Sequence, residues 1–338
     1  MAVSNNSKPI LVAILANSII AVSKAVGYLF SGSSALLSET IHSIADVMNQ
    51  SLLLLGIKRG EKDFSDIYNY GHSQERFFWN LVSAMGIFVL GCGVTLYHGI
   101  HDLLSKDPFK AAGFEKYIIF AILIISIIVE GYSFKVAINE ISSQAKARKK
   151  KFFEYLNQSM DPSVSAVFWE DLAAIIGLVF ALVGIFLTEF YQNNTFDAVA
   201  SICIGLLMGW IAFHLALENK RFLLDRAIPE YELQILMQSL KENPNIKKVS
   251  DIRSVVLGPD RLKFKAEIEF DKEKLTGKIN QKYSKKIKMN LKKPEKLDLL
   301  LTEFSNELHL EKIKELESIK KRLKEIMPNL QHVNLELV

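Results

Sequence analysis

The stretch ALLSETIHSIADVMNQSLLLLGIK, residues 35–58, decides how the chain is read. About 20 mostly apolar residues suffice for a helix that crosses a bilayer, and this stretch meets that length while carrying His42 and Asp46. An ionised side chain at mid-bilayer costs roughly 2.5–3.5 kcal/mol even on conservative insertion scales, so such residues face a cavity or a partner. At i and i+4 the two share one helical face, where an imidazole nitrogen and a carboxylate oxygen can converge on one point. Two readings follow: a metal site, or a buried His–Asp hydrogen bond that fastens helices together.

Working outward, five more stretches have spanning length: roughly 9–30, 76–104, 116–140, 162–188 and 195–217. With 34–58 they make six spans, which puts both termini on one side. Lys58, Arg59 and Lys62 follow the second span and Lys146, Arg148, Lys149, Lys150 and Lys151 the fourth, so the positive-inside rule makes those loops and both termini cytoplasmic. The 338 residues are 49% hydrophobic, with the apolar content concentrated in the first two thirds. A net charge of +4, with basic clusters beside apolar runs, argues against a nucleic-acid partner. Cys92 and Cys203 lie in separate apolar runs without CxxC spacing and offer neither a disulfide framework nor a thiolate site. The first apolar run reads as a retained helix rather than a signal peptide.

Beyond residue 217 the pattern becomes that of a small soluble domain. PEYELQILMQSLKENP (229–244) has helical spacing, and RLKFKAEIEF (261–270) alternates Leu262, Phe264, Ala266, Ile268 and Phe270 with charged residues, the period of a half-buried strand. The turn LGPD before it predicts a hairpin with a strand at about 249–257. A charged helix over 296–326 presents Ile313, Leu316, Ile319, Leu323 and Ile326, and HVNLELV (332–338) alternates again. The expected fold is an α-helical membrane protein with six transmembrane helices in 1–217 and a C-terminal cytoplasmic α+β domain in 218–338, ferredoxin-like with the order αββαβ. The lysine-rich insert near 272–296 reads as a loop.

In the fifth span, SVSAVFWEDLAAIIGLVFALVGIFL, Glu170 and Asp171 are adjacent, about 100° apart on a helix. One or both, with His42 and Asp46, would give one nitrogen and two or three oxygen ligands, a set suited first to Zn2+ and then to Co2+, Fe2+ or Mn2+. Against this, one of the pair can cap a helix or pair with Lys24. Glu130 in the fourth span reads as a packing hydrogen bond or a partner of Lys24 ahead of a ligand. Asn17, Asn49, Gln50 and Asn80 read as interhelical contacts or cavity lining. Glu61, Asp63, Asp66, His72 and Glu75 would make a cation-attracting mouth or simply a solvated loop.

SGSSALLSETIHSIADVMNQSLLLLGIK (31–58) with YNYGHSQERFFWNLVSAMGIFVLGCG (68–93) resembles the second and third transmembrane segments of the cation diffusion facilitator family. NQ at 49–50 and WEDLAA at 169–174 resemble the branch that includes the mitochondrial zinc exporter of animals. The resemblance implies six spans plus a cytoplasmic ferredoxin-like domain, a homodimer in membrane lipid, and His42 and Asp46 as metal ligands. It also implies proton-coupled efflux of a divalent cation, Zn2+ ahead of Mn2+, Fe2+ or Co2+, with H+ as counter-ion and no tightly bound cofactor. Two departures stand out: Val167 occupies the place of the family's first fifth-span ligand, so that Glu170 substitutes, and Gln74 replaces a basic residue after YG. An interlock between the domains would then use Arg76 with Asp225 or Glu230. The rivals are a non-transporting metal-responsive scaffold and an intramembrane metallohydrolase; the latter needs an HExxH pair that HSIAD does not supply. ATP hydrolysis is not indicated, since no GxxxxGK[ST] sequence occurs.

Overall fold

The computed structural model describes residues 7–105, 115–259, 261–290 and 294–338. The chain divides into two compact units, Met1–Leu224 and Asp225–Val338.

The first unit is helical. α1 (Ser7–Ser31) and α2 (Ser34–Gly60) are joined at Gly32, whose φ of +66° lies in the left-handed region that glycine enters without strain. α3 (Glu75–Gly86) runs through a π-helical segment (Ile87–Val94) into α4 (Thr95–Leu104); α5 (Glu115–Ala147), α6 (Phe152–Gln158), α7 (Pro162–Tyr191) and α8 (Thr195–Leu223) follow. Among the described residues, five helical runs are long and apolar enough to cross a membrane: α1, α3 through α4, α5, α7 and α8. α2 is 27 residues long but is not one of them, because Glu39, His42, Asp46, Asn49 and Gln50 dilute its apolar content. α5 runs on through Lys146, which the sequence reading put in a loop. α6 was not expected at all; its Tyr155 and Leu156 pack with Phe168 of α7.

Small residues bring the helices of this unit together. A Cβ on Gly184 of α7 would stand 2.4 Å from the Ala200 Cβ of α8, and one on Gly91 would stand 2.4 Å from Met208 Cε. Between them Leu36, Ala45, Ile87, Leu123, Leu178 and Ile204 form a continuous apolar core. The N-terminus of α2 is held by buried acid. Asp197 of α8 accepts from the Ser33 hydroxyl (2.7 Å) and from the backbone N–H groups of Ser34 (2.6 Å) and Ala35 (3.4 Å), while the Ser34 hydroxyl bonds Asp102 of α4. The positive end of the helix dipole favours a carboxylate there.

In the second unit α9 (Glu230–Lys241) follows Pro229, and β1 (Ile246–Gly258), β2 (Arg261–Phe270) and β3 (Leu330–Leu337) form a sheet in the order β1-β2-β3. β1 and β2 are antiparallel, with Val249 opposite Ile268; β2 and β3 are parallel, with Phe264 opposite Val333. Every apolar residue of the β2 alternation is buried. The insert near 272–296 is not the expected loop in its described residues: α10 (Lys272–Asn290) is helical and α11 (Pro294–Ile326) takes in 294–296, while 291–293 lie outside the described residues. The helix forms because Leu275, Ile279 and Tyr283 recur every fourth residue and are buried, with Tyr283 packed edge-on to Phe304 of α11. On α11 the expected face is only partly used. Ile319 and Leu323 are buried, whereas Ile313 and Ile326 are exposed.

Replacing Asp197 with Ala strips the acceptor from the α2 N-terminus and leaves buried N–H groups unpaired, a loss of about 1–3 kcal/mol. Asp197→Asn keeps one accepting oxygen and loses less; thermal unfolding midpoints in detergent order the two variants.

Candidate metal centre

The buried polar groups of α2 meet α1 first. Lys24 Nζ donates to Glu39 Oε2 at 3.0 Å and to Ser43 Oγ at 2.8 Å, and both charged side chains are wholly buried. The second carboxylate oxygen of Glu39 has no hydrogen-bond partner. It lies against α7 at Gly177, where a Cβ would stand only 2.4 Å away. The sequence offered Glu130 or the acidic pair of α7 as the partner of Lys24; the bonded partner is Glu39. Glu39 was missed, although the rule that singled out His42 applied to it equally: a charge in a nearly apolar run, three residues upstream on the same helix.

One turn on, His42 Nε2 stands 3.7 Å from Asp46 Oδ2. That is too long for a hydrogen bond, and both ring nitrogens of His42 are buried without a hydrogen-bond partner. The bland alternative of a His–Asp hydrogen bond is thus not what holds this pair.

Glu170 and Asp171 turn to different helices. Glu170 Oε2 accepts from Asn49 Nδ2 at 2.6 Å, and Asn49 Oδ1 accepts from the Ser83 hydroxyl at 2.7 Å, a chain across α7, α2 and α3. Asn49 is thus the interhelical contact its position suggested. Glu170 Oε1 is buried without a hydrogen-bond partner, and Asp171 Oδ2 accepts from Ser133 of α5 at 3.2 Å.

Charge ties the groups together. Asp46 lies in the field of His42, Lys24 and Glu39, and it acts in turn on Glu130, Glu170 and Asp171. Glu130, 7% exposed, also feels Lys24 and His42. Among the described residues, no three His, Cys, Asp or Glu side chains already stand together as a metal cage. The four expected ligands are electrostatic neighbours: Asp46 acts on Glu170 and Asp171 and is acted on by His42, while Asp171 also acts on Glu170 and His42 on Asp171.

Away from this cluster, Arg76 Nη2 pairs with Asp161 Oδ2 at 3.0 Å, within the first unit. Of the expected mouth residues, Glu75 accepts from Trp79 Nε1 at 2.8 Å and His72 packs against Tyr68 with the rings tilted by 44°. Glu61, Asp63 and Asp66 are exposed.

Residues 10–224 match the cation efflux transmembrane domain. The chain belongs to the cation diffusion facilitator family. It is 31% identical over 335 residues, 98% of its length, to the human mitochondrial proton-coupled zinc antiporter SLC30A9, of which it covers 58%. To metal tolerance protein C4 of Arabidopsis thaliana it is 30% identical, covering 90% of this chain and 68% of that one. To the cation-efflux pump FieF of Klebsiella pneumoniae it is 22% identical, covering 70% and 72%. The chain thus spans a little over half the length of its SLC30A9 relatives. Like the rest of the cation diffusion facilitator family, it is an integral, multi-pass membrane protein.

Lys24→Met leaves Glu39 as an unpaired buried carboxylate and costs roughly 3–5 kcal/mol, the usual penalty for breaking a buried pair from one side. The double variant Lys24→Met/Glu39→Gln recovers most of it, read as unfolding midpoints in detergent.

Proposed function

We propose that the protein exports divalent metal cations, Zn2+ first, from the cytoplasm across a membrane in exchange for protons, as a secondary transporter and not an enzyme. The observation that carries this reading is the His42 imidazole. It is buried on α2 with both nitrogens free of hydrogen bonds, beside the carboxylate of Asp46. A buried polar group without a partner is costly, and a divalent cation satisfies imidazole and carboxylate together. Glu170, with one buried oxygen free, and Asp171 complete the proposed ligand set, and Glu170 stands in for the ligand absent at Val167. The names of the relatives, a proton-coupled zinc antiporter and a metal tolerance protein, support the same reading.

In this proposal α2 is the sixth span, beside the five apolar runs. Its polar side chains are stabilised by α1, α3 and α7 rather than by lipid. Residues 1–217 form the transport domain and 218–338 a cytoplasmic domain of ferredoxin-like type; both termini are cytoplasmic and the transporter is a homodimer. Proton exchange follows from the donor set, because imidazole and carboxylates hold a metal only when deprotonated and histidine changes charge near neutral pH. On the cytoplasmic side metal binding expels protons; on the far side protonation of His42 and a carboxylate releases the ion. Asn49 and Ser133 hold Glu170 and Asp171 by hydrogen bonds from neutral groups, so both carboxylates keep an oxygen for the cation. A second reading, Mn2+ or Fe2+ as cargo, is favoured by the same carboxylates, since harder ions prefer oxygen ligands.

Uptake of radioactive zinc into proteoliposomes, with and without an imposed pH gradient, tests the proposal. Transport should rise with the gradient and fall by more than about tenfold in His42→Ala and in Asp46→Ala, since even supporting groups around a metal contribute 10–100-fold. Wild-type rates in both variants would remove the site; indifference to the gradient would remove proton exchange. A panel of competing metals decides the cargo.

A further inference from the structure

The lysine-rich segment has no part in the proposed transport chemistry. Residues 272–296 hold ten lysines, two glutamates and no arginine. α10 buries Leu275, Thr276, Ile279 and Tyr283, so the opposite side presents Lys274, Lys285 and Lys288 outward. Against α11 the helix is held by the Tyr283–Phe304 ring contact and by Lys282, whose Nζ stands 2.7 Å from Glu307 Oε2. These contacts run antiparallel. Met289 at the end of α10, 82% exposed, therefore shares the far end of the hairpin with Leu299, 66% exposed, and Leu301 at the start of α11.

Lys285, Lys286 and Lys288 are exposed, and among the described residues none has an acidic side chain at ion-pair distance. An apolar tip beside exposed lysines, of which Lys286 also lies 5.4 Å over the Tyr283 ring, has the composition of a segment that lies in the interface of an anionic membrane. The absence of arginine favours diffuse attraction to headgroups over the bidentate phosphate recognition that nucleic acids and phosphopeptides invite. Because the chain is itself anchored in a bilayer, lipid is present at high effective concentration.

We infer that the α10–α11 hairpin is a docking surface for anionic lipid headgroups, with Lys285, Lys286 and Lys288 as the electrostatic contacts and Met289 and Leu299 as the apolar ones. This stands independently of the identity of the transported ion.

The test uses the full-length protein in nanodiscs of phosphatidylcholine alone and of phosphatidylcholine mixed with phosphatidylglycerol, with backbone hydrogen exchange followed over 272–290 and 294–304. Exchange should slow in the mixed disc and return to the neutral-disc rate at high salt, which screens surface charge. The triple variant Lys285→Gln/Lys286→Gln/Lys288→Gln should lose the protection, each lysine contributing about fivefold to the partition; it keeps Lys282 and the buried face, and exchange equal to the unsubstituted protein's in the neutral disc shows that the hairpin still forms without the Lys286–Tyr283 contact. Equal exchange in the two discs, or protection that survives the triple variant, overturns the inference. Slowing by added heparin in the neutral disc without any effect of phosphatidylglycerol also overturns it, by assigning the lysines to a soluble polyanion.

Discussion

Charge without water is the constraint on which the membrane unit depends. Glu39 sits on a helix that has no exposure at that point, and a lone carboxylate there would be prohibitive. Lys24 reaches across from α1 to neutralise it, and that requirement sets much else. The turn at Gly32 folds α1 back on α2, Ser43 takes a second ammonium hydrogen, and α7 approaches α2 at Gly177, where the missing Cβ leaves space for the remaining oxygen.

With Glu39 answered by Lys24, the other acids of the cluster have no lysine or arginine bonded to them among the described residues. Asp46, Glu130, Glu170 and Asp171 come from three helices, and each acts electrostatically on at least one of the others. Neutral donors orient them: Asn49, itself braced by Ser83, holds Glu170, and Ser133 holds Asp171. Neutral donors fix direction without cancelling charge. Under the proposed function that is the useful arrangement, because the compensating charge has to be one that can leave. A resident lysine bonded to each carboxylate would compete with the cargo at every turnover.

The second unit handles charge in the opposite way. Its acids and bases meet in water, where screening makes each pair worth little, and its stability comes from apolar burial: Phe264, Ala266 and Ile268 of the sheet and Leu236, Leu240, Ile319 and Leu323 of the helices are all buried. Lys282 holds the Glu307 carboxyl below the usual range, and the bond from Tyr283 to Glu307 pushes the phenol up to about 12. Both effects belong to the contact that closes α10 onto α11.

Local periodicity carried most of the fold. The β2 alternation, the helix after Pro229 and the long apolar runs were legible because each is a property of one element and its 2.0- or 3.6-residue repeat. The α10 helix was not, since three apolar residues among lysines form a helical face only once Phe304 supplies something to bury them against. In the site, the adjacency of His42 and Asp46 was legible for the same local reason, whereas the Lys24–Glu39 pair was not: its members lie fifteen residues apart on two helices, and Lys24 had three plausible acidic partners. The sequence by itself determined that ionisable groups lie on a membrane-length helix and which of them share a face, because helical pitch is the same everywhere. Only the tertiary structure decided which charge neutralises which, that Asn49 and Ser133 separate Glu170 from Asp171, and that Arg76 answers Asp161. Partnership across helices is set by close approach at residues such as Gly177 and Gly184, and no repeat along one strand of sequence encodes it.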